Sequence, residues 1–161
     1  MPDAWVLDAS PLIVLARVGQ LGLLERLATE VWIPPAVAME IRSGPQADPA
    51  RQALEAGWGQ AMSCPDADAQ VLEWSLGPGE TEVISMARRA PGSTAVLDDA
   101  VARHCGRALG IPLVGTLGVI IRARRGGLLD CAADVLKSLR SAGMYLDDEL
   151  VNKVLHQVGE R

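Results

Sequence analysis

The sequence predicts an α/β fold: a central, mostly parallel sheet of four to five strands flanked by helices. Three observations predict it. Short apolar runs of strand length alternate with helically periodic segments, most cleanly over residues 94–125, the pattern of a parallel sheet with crossover helices. The chain has 161 residues and is 49% hydrophobic, enough for one packed core and too apolar for a disordered chain. The longest apolar candidates, residues 11–16 and 113–121, fall well short of the roughly 18 residues that a membrane span needs.

The elements follow in order. Residues 4–8 (Ala-Trp-Val-Leu-Asp) read as a short buried strand ending on a carboxylate. Ser10-Pro11 then supplies an N-cap and a first helical residue, and Leu12, Leu15 and Ala16 recur at helical spacing. Gly19 stops this helix and 21–27 forms a second. Residues 30–33 form the next strand; Pro34-Pro35 ends it and opens a helix through Ile41, closed by Ser-Gly-Pro at 43–45. Residues 50–56 read as helix, 61–64 as an edge strand before Pro65, and 67–75 as helix. Gly77-Pro78-Gly79 breaks the chain before a helix over 80–90 with Val83, Ile84 and Ala87 on one stripe. Strand 94–97, helix 100–109, strand 111–114 and helix 117–125 follow. Two last helices occupy about 130–142 and 148–158, with Asp147 capping the second. The 34 residues after Gly126-Gly127 are too few to bury a core alone, so residues 1–161 are expected to form one domain with a helical C-terminal extension from about 128.

Charge and cysteine usage narrow the function. Fifteen basic residues against twenty acidic give a net charge of −5, which argues against a broad nucleic-acid coating but permits a local basic groove. Only Lys137 and Lys153 are lysines; the other basic residues are arginines. Cys64, Cys105 and Cys131 form an odd set without a Cys-x-x-Cys pair, and His104 and His156 stand far apart. This fits a reducing, cytoplasmic protein and argues against a thiolate or histidine metal site. The opening Met-Pro-Asp-Ala-Trp has no basic region followed by an apolar stretch, so no secretory leader is expected.

In an open parallel sheet, ligands bind outside the carboxyl ends of the strands. The residues just past the strands here are Asp8, Pro34-Pro35 leading to Glu40, Asp98-Asp99, and Gly115-Thr116. Glu40 borders the apolar stripe of its helix. Glu80 precedes Val83, Ile84 and Ala87 at buried-face spacing, whereas Glu82 lies about 200° round the helix from it, so Glu80 is preferred and Glu82 is the reserve. Asp98 and Asp99 point to opposite faces of a strand, and the pattern leaves the choice between them open. Two carboxylates 4 Å apart repel by about 4 kcal/mol at an effective dielectric near 20. A convergence of four therefore needs protons or a cation, and an all-oxygen donor set selects Mg²⁺ or Mn²⁺. Each residue also has an ordinary structural use. A strand-end Asp caps a helix, Glu80 complements a helix dipole, Ser10 and Thr116 are helix caps, and the arginine groups 88–89, 103/107 and 122/124/125 are solvated faces. The set gains weight from its joint placement at one sheet edge. There, Ser10 and Thr116 can orient water or phosphate, and Arg103 and Arg122 can hold a phosphate backbone.

Five stretches carry a resemblance: Val-Leu-Asp-Ala-Ser-Pro-Leu at 6–12, Ile-Pro-Pro-Ala-Val-Ala-Met-Glu-Ile at 33–41, Gly-Pro-Gly-Glu-Thr-Glu-Val-Ile at 77–84, Val-Leu-Asp-Asp-Ala-Val-Ala-Arg at 96–103 and Val-Gly-Thr-Leu-Gly-Val-Ile-Ile-Arg-Ala at 114–123. In order and spacing the chain resembles the PIN-domain family, in its compact prokaryotic branch similar to VapC-type toxin ribonucleases. The resemblance implies a three-layer fold and an acidic pocket that binds Mg²⁺ or Mn²⁺ and hydrolyses RNA phosphodiesters by in-line attack of water. It matches Asp8, Glu40, Glu80 (or Glu82) and Asp99, with Asp98 beside it, to the family's four acidic positions, and Ser10 and Thr116 to polar ones. It further implies an RNA substrate, a small antitoxin partner and a homodimer. A phosphoryl-acceptor enzyme is the rival for Asp8. Ser10 stands where haloacid-dehalogenase-like phosphatases carry a second Asp, and both lysines follow the late acidic pair instead of preceding it. A non-catalytic module of the same fold is the other alternative.

Overall fold

A computed structural model of the protein describes residues 3–64 and 66–160. The opening Met-Pro, the proline expected to close the edge strand (Pro65) and Arg161 lie outside them. Among the described residues the strands are β1 (Ala4–Leu7), β2 (Glu30–Ile33), β3 (Gln60–Ala61), β4 (Thr94–Val96) and β5 (Leu113–Val114). They form one sheet in the order β3-β2-β1-β4-β5, with every neighbouring pair parallel. Trp5 lies opposite Val31 on one side and Thr94 on the other. β1 is buried at all of its residues, as a central strand covered on both faces must be.

The helices are α1 (Ala9–Arg17), α2 (Leu21–Leu27), α3 (Pro35–Arg42), α4 (Pro49–Glu55), α5 (Ala69–Leu72), α6 (Pro78–Arg89), α7 (Ala100–Ala108), α8 (Thr116–Arg125), α9 (Ala132–Ser141) and α10 (Asp148–Gln157). The helices pack around the sheet in two groups joined through α1 and α2. In one, α1 packs with α3 and α4, and α6 packs with α3, α5 and α7. In the other, α8 packs with α2, α9 and α10. Leu136, Leu139, Val154 and Leu155 of the last two helices join the same apolar cluster as Trp5, Leu7 and Ile120.

Several boundaries differ from those expected from the sequence. α1 starts at Ala9, so Asp8, not Ser10, holds its N-cap, and Pro11 falls at the third helical residue, where its missing N–H costs nothing. α6 starts at Pro78, with Gly77 as N-cap, which sets Glu80 in the first turn. The segment read as helix over 67–75 is helical only over Ala69–Leu72, and Ser75 just beyond has a positive φ of 52°. The edge strand pairs at 60–61 rather than 61–64. Asp147 does cap α10, accepting from the Leu150 N–H at 2.7 Å.

The connections place the site. From β1 the chain moves outward to β2 and β3, then returns to the opposite side of β1 as β4 and β5. The crossovers diverge between β1 and β4, and such a switch point leaves a crevice at the carboxyl ends of the two strands. Asp8 follows β1 directly and Asp98 follows β4 by two residues. If α9 and α10 belong to the main core, Leu139→Ala (0% exposed) costs about 2–5 kcal/mol in equilibrium urea unfolding, within a single transition. A separate early transition for the C-terminal helices would contradict this.

Candidate active site

Asp8 stands in a helix-cap position without acting as a cap. Its backbone is extended (φ −82°, ψ 164°), as a cap requires, yet its carboxyl makes no capping bond to the first turn of α1. Four other N-cap aspartates do cap: Asp48 from Ala50 N–H at 2.9 Å, Asp68 from Gln70 at 2.9 Å, Asp99 from Ala102 at 2.9 Å, and Asp147 from Leu150. At 4% exposure Asp8 is the only charged side chain in the buried set of the described residues. Burial pushes its carboxyl up from 3.8 to about 7. The charge of Glu80 adds to the rise, the Ala9 N–H opposes it, and Glu40 and Asp98 raise it further. Three negative groups from three other segments thus act on one buried carboxyl.

The local sequence brings each of them there. Gly79 lets the first turn of α6 approach Asp8: a Cβ on it would sit 3.3 Å from Asp8 Oδ1 and 3.5 Å from Val37 Cγ2. This seats Glu80, half-buried, beside Asp8. Glu40 is exposed on α3. Asp98 is half-buried and held by Thr116, whose N–H donates to Oδ1 at 2.7 Å and whose hydroxyl donates to Oδ2. Thr116 is fully buried and serves to position Asp98. Gly115 keeps this corner open, since a Cβ on it would lie 3.0 Å from Asp98 Oδ1 and 3.2 Å from Arg103 Nη1.

Two of the residues picked from sequence are placed elsewhere. Asp99, matched by resemblance to the fourth acidic position, is exposed and spends its carboxyl on the first turn of α7; Asp98 takes the place beside Asp8. Glu82 Oε1 accepts the Ala36 N–H at 2.7 Å. It caps α3 from a distance, because the residue at that N-cap is Pro34, which has no acceptor in its side chain.

Two cavities meet at Asp98. One, of about 470 Å³, is lined by Ser10, Arg17, Glu40, Asp98, Met144 and Tyr145 among others. The other, of about 500 Å³, is lined by Asp98, Arg103, Arg122, Arg125 and Met144 among others. Arg103 Nη1 donates to the Leu97 carbonyl at 2.9 Å, and the Arg122 guanidinium lies 5.5 Å over the Trp5 ring. Other members of the arginine groups are paired: Arg88 with Asp68 at 3.0 Å and Arg124 with Glu160 at 2.9 Å. The turn that carries Met144 and Tyr145 escaped sequence reasoning. Its one signal was an aromatic two residues past the helix-ending Gly143. A further cavity, of about 750 Å³, lies by Glu30, Trp58 and Gln60 at the amino ends of β2 and β3, away from Asp8 and Asp98.

The donor chemistry fits a hard divalent cation. The charged groups that act on Asp8 are all carboxylates, and its elevated carboxyl registers burial first and then the repulsion that such an ion relieves. The fit is to an ion that keeps much of its water. Among the described residues no three acidic, histidine or cysteine side chains gather into a ready cage, so the four carboxylates do not close on one point as the sequence suggested. Mg²⁺ is commonly held by one or two carboxylates plus water, which Asp8 with Glu80 or Asp98 can supply.

Two predictions separate the roles. Asp8 holds a proton in the folded chain that the unfolded chain releases near pH 3.8, so its stabilising contribution is full below that pH and lost as pH rises through about 7. Asp8→Asn removes this dependence. Relative to the parent chain, the variant gains about 2–4 kcal/mol in urea unfolding between about pH 4 and pH 8; equal slopes with pH would contradict it. Asp99→Ala, losing a cap, costs about 0.5–2 kcal/mol of stability and leaves divalent-ion affinity unchanged, whereas Asp98→Ala weakens Mn²⁺ binding by calorimetry. The reverse pattern would restore Asp99 to the site.

The family model described as a PIN domain matches residues 4–160. No curated protein matches the chain. PIN domains are in general nucleases. With the parallel sheet, its switch point and a match over nearly its whole length, the chain belongs to the PIN-domain family.

Proposed function

We propose that this PIN domain is a Mg²⁺- or Mn²⁺-dependent ribonuclease, the toxin of a toxin–antitoxin pair, acting in the cytoplasm as a homodimer with a small antitoxin protein as its partner. The observation that carries the nuclease reading is Asp8: buried, uncapped, at the switch point of the sheet, with Glu80, Glu40 and Asp98 all acting on its ionisation. The toxin, partner and dimer readings rest on the five stretches at 6–12, 33–41, 77–84, 96–103 and 114–123. No helix among the described residues is long and apolar enough to cross a membrane.

A bound divalent ion polarises a phosphoryl oxygen and lowers the pKa of water. The chain's own residues do the rest. Asp8 and Glu80 supply hard oxygens, and Thr116 fixes the Asp98 carboxylate so that it need not reorganise during the reaction. Arg103 has one guanidinium N–H tied to Leu97, which orients the fork while other donors remain for phosphate oxygens. Arg122 and Arg125 extend the basic side of the groove. Arginine suits this task better than lysine because its planar fork matches a phosphate bidentately. Ser10, exposed beside Glu40, can hydrogen-bond water or substrate.

The test is cleavage of a single-stranded RNA pool by the purified chain with Mg²⁺ or Mn²⁺. Asp8→Asn lowers the rate on the order of 10²-fold or more, the scale felt when one electrostatic contact to the transition state is lost, and excess EDTA abolishes it. A parent chain that cleaves no RNA with either ion would leave a non-catalytic PIN-like module. Light scattering at about half the expected dimer mass, which is twice 17.0 kDa, would remove the homodimer.

A further inference from the structure

We infer that Tyr145 is a stacking platform that holds an unpaired base of the substrate strand beside the carboxylates. The inference rests on the nuclease reading above and names a residue that positions its substrate.

Tyr145 is the only tyrosine of the chain, which has no phenylalanine, and it is 86% exposed. The four tryptophans are differently placed. Trp5 is in the core. Trp32 and Trp58 are half-buried, with their indole N–H groups given to Glu30 and Glu25, and Trp74 packs at 5.4 Å against His104. Tyr145 is thus the most open of the tyrosine and tryptophan rings, and among the residues lining the two cavities that meet at Asp98 it is the aromatic one. Its neighbours are anchored: the Met144 N–H donates to the Leu139 carbonyl at 3.0 Å, and the Leu146 side chain is buried in the core. The backbone that carries the ring is therefore held in place, and a tyrosine has only two side-chain torsions to order when a base stacks on it.

Its position gives it a use. Tyr145 lines the cavity that holds Ser10, Glu40 and Asp98. On the other side of Asp98, the adjoining cavity carries Arg103 and Arg122, and Met144 borders both. A strand with its phosphates on the arginines and a phosphodiester at the carboxylates therefore lays its next nucleotide against Tyr145. A base inside a duplex has both faces covered by its neighbours and offers only edges, so an open aromatic face selects unpaired nucleotides. Tyr145 is placed to hold the strand and not to act on the phosphodiester, so it is a positioning residue.

The test uses the full chain carrying Asp8→Asn, which slows cleavage enough for binding to be read, with Mg²⁺ present and a short fluorescent single-stranded RNA followed by anisotropy. Adding Tyr145→Ala weakens binding by about 5- to 100-fold, the range for one base–aromatic stack. Tyr145→Trp restores it, an abasic strand binds equally well with and without the Tyr145→Ala change, and a duplex of the same length binds more weakly. In the cleaving parent, Tyr145→Ala raises KM and leaves kcat within a few-fold. Unchanged binding of the intact strand on Tyr145→Ala substitution overturns the inference, as does equal affinity for duplex and single strand, or no binding of any strand. Loss of a dimer in light scattering with strand binding unchanged also overturns it, and makes Tyr145 a protein contact. If the parent never cleaves yet the stacking pattern holds, the nuclease reading falls and the platform stands. If the parent cleaves and cleavage is indifferent to Tyr145, the platform falls and the nuclease reading stands.

Discussion

A carboxylate buried among other carboxylates is the constraint around which this molecule is arranged. Asp8 is 4% exposed, at a point where β1 and β4 part company and where the charges of Glu80, Glu40 and Asp98 reach it from different elements. Desolvation and like charge both oppose its ionisation, and the Ala9 N–H offsets them only in part. A protein built only for stability would place an apolar residue or a capping aspartate here, as it does with Asp48, Asp68 and Asp147. The cost is sensible if a cation completes the site.

The surrounding acids show how the same chemistry is put to different ends by position. Asp98 is clamped by Thr116 at the sheet edge, whereas Asp99, one residue on, is the ordinary cap of α7. Glu80 lies beside Asp8 because Gly79 lets the helix in, whereas Glu82, two residues on, satisfies the first turn of α3 that Pro34 leaves uncapped. Glu160 plays a similar part near the end of the chain. It accepts from Ala132 N–H at 2.8 Å, from Ala133 N–H and from Arg124, and these bonds hold its carboxyl below the usual range. Distant carboxylates as helix caps are a recurring device here, and they explain acids that do not serve the site.

Much of the fold was legible because the signals were strong. Pro34-Pro35, Gly77-Pro78 and Gly110 punctuate the chain where elements change, and the apolar strands carry no competing pattern. The parallel sheet and the placement of Asp8 and Asp98 at strand ends followed from that alternation. The less legible parts have physical reasons. Ser10-Pro11 is as good a helix start as Asp8 on local chemistry; only the tertiary position shows that the helix begins earlier and that Asp8 withholds its cap. Asp98 and Asp99 differ in face, and the pattern fixes their difference but not which face meets Asp8. The use of Glu82 depends on a partner 46 residues away, which no local pattern contains. Tyr145 sits in a turn without periodicity, so nothing in the sequence ties it to a groove formed by α1, α3 and the end of β4.

The most direct measurement is the titration of the Asp8 side-chain carboxyl by NMR, with and without Mg²⁺. A midpoint near 7 that moves to lower pH when Mg²⁺ is added is the predicted result, since the ion removes the repulsion that burial and the neighbouring acids impose. A midpoint near the ordinary 3.8, indifferent to Mg²⁺, would mean that Asp8 is neither desolvated nor crowded and that these carboxylates do not form a cation site.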